Sequence, residues 1–253
     1  MPASSALRFQ IERSLEHRFP AALTPSPRTI REVAPTGIGE VDALLDGGLP
    51  VGAISELVGP ESSGRTSLAL SFVAQRTESE QVCAWVDADD TLDPESAAAS
   101  GVALKRLLWV RCCNADREVK ARPWTRLDQA LRAADLLLQV GGFAAIVLDL
   151  GNVMPQHGNR IPLATWFRFR QAADRSRCCL VVLGKAAYAR SSAAVTLECM
   201  PLREHNVGET VLRGFSYEAQ RRRERFPQFS PGARKSPAST WSVSATWERE
   251  RQA

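Results

Sequence analysis

The sequence predicts an α/β fold, a mostly parallel central sheet with helices on both faces, framed by an N-terminal helix and a disordered C-terminal tail. Three observations lead there. Between about residues 36 and 216, short apolar runs alternate with helical patterns, as in sheets whose strands are joined by crossover helices. A glycine-bounded loop joins one of those runs directly to a helix. After Tyr217 the aliphatic residues thin out while Ser, Arg and Pro accumulate, a composition that buries too little apolar surface to order itself.

The elements follow in chain order. In residues 5–19, Leu7, Ile11, Leu15 and Phe19 stand four apart with charges between them, which predicts an amphipathic helix. Pro25, Pro27 and Pro35 then mark a linker, so residues 1–35 read as helix plus linker and residues 36–216 as the core. The expected core strands are 53–58, 82–86, 107–110, 143–148 and 178–183. Helical patterns lie between them, the clearest over 125–140, with Thr125 as its cap and Leu127, Leu131, Ala134 and Leu138 on one face. Two further runs, 194–199 and 210–217, extend the sheet as antiparallel edge strands. Residues 217–253 complete the chain as the tail.

Composition narrows the function classes. Of 253 residues, 44% are hydrophobic and 24% charged, the balance of a globular chain large enough for a real core. No apolar stretch approaches the roughly 18 residues needed to cross a bilayer, and the N-terminus carries charge where a signal peptide needs an apolar centre. A cytoplasmic protein without a membrane partner is expected. The six cysteines, Cys83, Cys112, Cys113, Cys178, Cys179 and Cys199, form no CxxC and stand apart from the three histidines, so they read as buried thiols rather than a metal site. The net charge of +4 is not spread evenly: residues 217–253 hold eight basic side chains against four glutamates, which accounts for all of it. Arg221, Arg222, Arg223 and Arg225 are therefore the expected contacts to DNA or an acidic partner. The Trp166-Phe-Arg-Phe-Arg170 run alternates aromatic and basic residues, but at helical spacing Trp166, Phe169 and Ala173 share a face, which favours the core.

The strongest chemical motif is Gly59-Pro60-Glu61-Ser62-Ser63-Gly64-Arg65-Thr66, continuing into Ser67, between the run Ile54–Val58 and a helix. Such a loop turns main-chain N–H groups toward one concavity at a helix N-terminus, where an anion is favoured. This is the P-loop pattern, with Thr66 as the Mg²⁺ hydroxyl, except that Arg65 stands where the phosphate-binding lysine belongs. Its planar fork is bulkier than an ammonium and cannot take the same place. The run Phe143-Ala-Ala-Ile-Val-Leu-Asp149 ends on a carboxylate suited to the same metal. The run Trp85-Val-Asp87-Ala-Asp89-Asp90-Thr-Leu-Asp93-Pro94 brings further carboxylates to the same sheet edge: Asp93 suits a helix cap, and Asp89 either a catalytic base or another cap.

Together these motifs resemble the RecA family, from about Thr36 to Arg203, most specifically in the GPESSG loop and the LDP turn. The resemblance implies ATP and Mg²⁺ as cofactors. It also places three departures: the phosphate lysine falls on Arg65, the catalytic glutamate on Asp89, and the residue after the Mg²⁺-site aspartate is Leu150. Asp is one methylene shorter than Glu, so a water held by it sits out of line. The family's DNA-contacting loops fall on two compact segments, Gly151–Pro162 and the stretch after Lys185, and its large C-terminal domain is replaced by the basic tail. A core so altered looks most like the ImuA-type proteins, RecA-like accessories of bacterial mutagenesis cassettes. That resemblance implies weak or no ATP turnover, a RecA-type recombinase or translesion polymerase homologue as partner, single-stranded DNA reached through the tail, and self-association through the N-terminal helix. An active DNA-dependent ATPase, or a relic loop that binds no nucleotide, stays open on the sequence.

Overall fold

The computed structural model describes residues 32–112, 123–207, 211–224 and 238–244. The helix expected over residues 5–19 and most of its linker lie outside them. A short lead-in strand β1 (Val33–Ala34) pairs with β2 (Leu49–Pro50) around helix α1 (Gly39–Leu44). Thr36 fixes this corner: its N–H and hydroxyl both donate to the Asp42 carboxylate at 2.7 Å, while its carbonyl accepts from the Ser71 hydroxyl at 2.9 Å.

The chain then runs β3 (Ile54–Val58), α2 (Arg65–Glu78), β4 (Cys83–Asp87), α3 (Pro94–Ala99), β5 (Leu107–Arg111), α4 (Pro123–Val140), β6 (Ala145–Asp149), α5 (Pro155–Gly158), α6 (Leu163–Ser176) and β7 (Cys179–Gly184). Three long strands follow, β8 (Ala193–Val207), β9 (Val211–Glu224) and β10 (Ala238–Ser244). The main sheet has the order β10-β9-β8-β3-β7-β6-β4-β5. Its strands are parallel from β8 to β5, and β9 and β10 are antiparallel additions at one side.

The five expected core strands match to within two residues, because each is a short apolar run bounded by turn signals. Alternation across the pleat sends Cys83, Trp85, Ala145 and Val147 to one core with Leu68, Phe72 and Val73 of α2. Ala84, Val86, Ile146 and Leu148 face the other core, with Leu127, Ala134 and Leu138 of α4 and Trp166 and Phe169 of α6. The helical face read over 125–140 is therefore the buried one, and Trp166 and Phe169 pack as core, edge to face at 5.8 Å. Helix α4 begins at Pro123, so Thr125 lies in its first turn rather than at its cap. Asp93 caps α3 as expected, its carboxylate accepting from the N–H groups of Glu95 and Ser96 ahead of Pro94.

Two expectations need correction. The strand at 194–199 is not an antiparallel edge: β8 lies parallel to β3 and inside the sheet. The tail is not disordered from residue 217, because β9 runs on to Glu224 and β10 returns beside it from Ala238. Low aliphatic content hid a two-residue alternation: Phe215, Tyr217 and Ala219 face inward from β9, and Trp241 joins them from β10. The boundary expected at residue 217 thus falls within a strand.

Candidate functional site

Strand β3, inside the sheet between β8 and β7, delivers Gly59 to the carboxyl edge, and α2 starts at Arg65. Between them Ser62 and Gly64 adopt left-handed backbone angles, φ 57° and 81°, which turn successive peptide groups into a concave nest. Gly64 is needed twice over: a Cβ there would stand 2.6 Å from the Tyr217 ring. That ring forms the floor of the loop. It is buried, hydrogen-bonds the Ser67 side chain, and stacks between Phe215 and Trp241 at 6.1 and 5.3 Å. Strand β9, expected as an antiparallel strand over 210–217, and β10, from the segment expected as tail, therefore support the loop from beneath.

Arg65 is buried at 7% exposure, and its guanidinium turns back onto main-chain carbonyls. Nη1 donates to Gly59 O and, at 2.8 Å, to Pro60 O, while Nη2 donates to Gly151 O at 3.0 Å. One side chain thus ties both ends of the phosphate loop to the segment after β6. The Glu61 side chain points to solvent from the loop, and the ammonium of Lys185, 2.8 Å away, holds its carboxyl below the ordinary 4.5.

A cavity of about 320 Å³ opens at the loop and brings together Arg65, Thr66 and Asp149, with Thr91, Asp93 and Asn152 on its walls. Asp149 aligns with Asp87 across β6 and β4. Burial pushes the Asp149 carboxyl up to about 6, and the nearby Asp87 pushes the same way, against a hydrogen bond from Gly151 N–H at 2.9 Å and the charge of Arg65. Asp87 is fully buried and serves the backbone: it accepts from the N–H groups of Thr91 and Leu92 at 2.9 Å and from the Trp109 indole at 3.3 Å. It shapes the turn that carries Asp89, Asp90 and Asp93.

Asp89 does not join Arg65, Thr66 and Asp149. It lines a neighbouring cavity of about 230 Å³ with Arg126, Asn152 and His157, and it pairs with Arg126 at 3.5 Å. Asp90 is held by both arms of Arg111.

The group implied by this loop is ATP with Mg²⁺. The start of α2, the Thr66 hydroxyl and a buried carboxylate in one cavity, next to the left-handed nest of Ser62 and Gly64, fit a polyphosphate with its metal. Arg65 fits less well, since three of its five N–H groups already have main-chain acceptors.

The chain matches the RecA N-terminal domain family over residues 5–157. It belongs to the RecA family. The RecA protein of Bifidobacterium longum is 38% identical over 141 residues, 55% of this chain and 32% of that protein. The RecA protein of Allorhizobium ampelinum is 32% identical over 199 residues, 72% of this chain and 52% of its own length. The chain thus spans a third to a half of the relatives it matches. The crystal structure of the RadB recombinase covers 82% of this chain and 94% of its own, with a TM-score of 0.57 and 18% identity, a likeness of fold.

The two compact segments expected to correspond to the family's DNA loops, 151–162 and the stretch after Lys185, are fastened to each other. Tyr188, after β7, is buried, donates its hydroxyl to Val153 O at 3.1 Å, and packs so tightly on α5 that a Cβ at Gly158 would lie 2.4 Å from its ring. The N–H groups of Tyr188 and Ala189 donate to Glu56 Oε1 at 2.6 and 2.7 Å, and Thr196 donates to Oε2 at 3.3 Å. Neither residue was singled out from the sequence. Glu56 did leave a signal, as the one charge inside the apolar run Ile-Ser-Glu-Leu-Val, since a fully buried carboxylate needs donors around it.

Of the arginines expected to meet DNA or a partner, Arg221 pairs with Asp46 at 3.2 Å and Arg222 pairs with Glu198. Both therefore carry contacts within the fold. The side chains of Arg223 and Arg225 lie outside the described residues. Cys83, Cys112, Cys178, Cys179 and Cys199 are buried free thiols, as expected. Burial pushes Cys83, Cys179 and Cys199 up to about 12. Among the described residues no helix is long and apolar enough to cross a membrane.

Proposed function

We propose that this RecA-family chain is a nucleotide-binding accessory protein that holds ATP with Mg²⁺ and turns it over weakly or not at all. The observation that carries this reading is Asp89. Where the resemblance places the catalytic glutamate, a shorter carboxylate is ion-paired to Arg126 and faces a neighbouring cavity rather than the one lined by Arg65, Thr66 and Asp149. A base so short and already ion-paired is poorly set to align a water on a terminal phosphate.

In the bound state the main-chain N–H groups of residues 61–66 and the α2 N-terminus hold the phosphates. Thr66 and Asp149 hold the metal, which neutralises charge on the phosphate oxygens. Arg65 braces the loop.

The finer reading is an ImuA-type role in damage-induced mutagenesis: contacting a RecA-type recombinase or a translesion polymerase homologue in the cytoplasm rather than exchanging strands. It is supported by the two loops that Tyr188 and Glu56 fasten together, since a loop pinned to α5 and β3 cannot rearrange along a stretched strand. The N-terminal helix at 5–19 is the proposed surface for self-association or a RecA-type partner. Single-stranded DNA, if bound, meets the outer tail, and such binding falls steeply with salt.

Steady-state ATPase activity with and without single-stranded DNA tests the proposal. The expected outcome is turnover far below that of a working recombinase and unmoved by DNA. DNA-stimulated turnover at recombinase rates would establish the second reading, an active DNA-dependent ATPase, which is favoured by the convergence of Arg65, Thr66 and Asp149 on one cavity. In that case the paired changes Arg65→Lys and Asp89→Glu should act together more than singly.

A further inference from the structure

We infer that this phosphate loop does not read the γ-phosphate and takes nucleoside diphosphates and triphosphates with equal affinity, because among the described residues the cations in and beside it, Arg65, Lys185 and Arg126, are engaged with protein partners. The inference rests on the nucleotide-binding reading above and concerns which nucleotide the site holds.

A site prefers a triphosphate only through groups that interact differently with the two ligands. In a P-loop the main-chain N–H groups serve the inner phosphates, and the lysine reaches the outer ones. Here the inner part is intact: Ser62 and Gly64 keep the left-handed angles that form the nest, and α2 begins at Arg65. The outer part is not. Arg65 donates to Gly59 O, Pro60 O and Gly151 O from a nearly buried position. The guanidinium is planar and rigid, so the three bonds also fix where its remaining Nε and Nη2 hydrogens point, and turning the fork toward a γ-phosphate would break several of them.

The next cations are engaged as well. Lys185 lies 2.8 Å from the Glu61 carboxylate, and Arg126 pairs with Asp89. Recruiting any of them for a third phosphate exchanges an existing charged or hydrogen-bonded contact for a new one, with little net gain. A lysine at residue 65 would behave differently, because its ammonium turns freely on a flexible stem and carries no fork to satisfy. The nucleotide is thereby a standing part of the structure, its occupancy set by total adenine nucleotide rather than by the ratio of triphosphate to diphosphate.

The test is competition of ADP and of ATP, each with Mg²⁺, against a fluorescent ADP analogue on the full chain. For the unaltered protein the two dissociation constants should agree within about threefold, and Arg65→Lys should make ATP at least tenfold tighter than ADP, a change of about 1.4 kcal/mol. Should the lysine variant not fold, Glu61→Gln releases Lys185 and should also shift the ratio toward ATP, by about threefold or more. A tenfold preference for ATP in the unaltered protein would overturn the inference while leaving nucleotide binding standing. An unchanged ratio in the folded variants would overturn the role given to the committed cations. Failure of both nucleotides to displace the analogue, or of the analogue to bind, would overturn the nucleotide-binding reading itself, and this inference with it.

Discussion

Asp149 gives the sharpest physical prediction. Its carboxyl is 8% exposed and is raised from the ordinary 3.8 to about 6, mainly by burial. That rise corresponds to about 3 kcal/mol by which the folded chain disfavours the ionised form. The sign follows from linkage. Between about pH 4 and 6 the unfolded chain loses this proton while the folded chain keeps it, so this group makes stability fall as pH rises through that window, and the loss is complete above it. Asp149→Asn keeps an oxygen for the Gly151 N–H and removes the charge. We predict that the variant matches the parent near pH 4 and exceeds it by about 2–3 kcal/mol at pH 8, a rise of roughly 4–10 °C in Tm for a chain of this size. Thermal unfolding without nucleotide or Mg²⁺ across pH 4–8 measures this directly. Equal stability at pH 8, or an undiminished fall between pH 4 and 6, would refute the argument. With Mg²⁺ and nucleotide present the order should reverse, since the lost charge then serves the metal.

Three further predictions concern the framework. Glu56→Ala leaves the N–H groups of Tyr188 and Ala189 without their acceptor and should cost about 2–5 kcal/mol in urea unfolding, with faster amide exchange at those two positions. Gly64→Ala meets both a positive φ and the Tyr217 ring. A loss of about 2–4 kcal/mol is expected, partly recovered when Tyr217→Leu is added, as a thermal-shift cycle would reveal. Trp241→Ala removes a ring buried at 4% exposure from β10 and should cost about 3–5 kcal/mol by chemical denaturation. A cost near zero would mean that β10 is not seated.

Much of this was legible in the sequence because it depends on local pattern. Apolar runs bounded by turns fixed the five core strands, and Asp93-Pro94 announced a cap, since each signal is complete within a few residues. The phosphate loop was legible for the same reason, as was the oddity of Arg65. What that arginine does was not: its acceptors include Gly151, 86 residues away, and nothing near residue 65 points there. Asp89 was placed on the correct sheet edge, but its separation from the phosphate cavity depends on how Asp87 folds the turn and on Arg126 from α4. The tail was misjudged because composition was weighed over alternation: Tyr217 and Trp241 have few aliphatic neighbours in sequence and find them across the sheet.

The Tyr217 ring beneath Gly64 also bears on when the phosphate loop can mature. The loop is made well before the ring that floors it and the Trp241 ring packed on that floor, which follow it by about 150–180 residues. At roughly 5–20 residues per second, about 10–35 s of translation separate the two. The nascent chain must carry an unsupported loop for that interval, and contacts of such long sequence separation close slowly. Nucleotide present during synthesis therefore meets a finished cradle only once Tyr217 and Trp241 have left the ribosome.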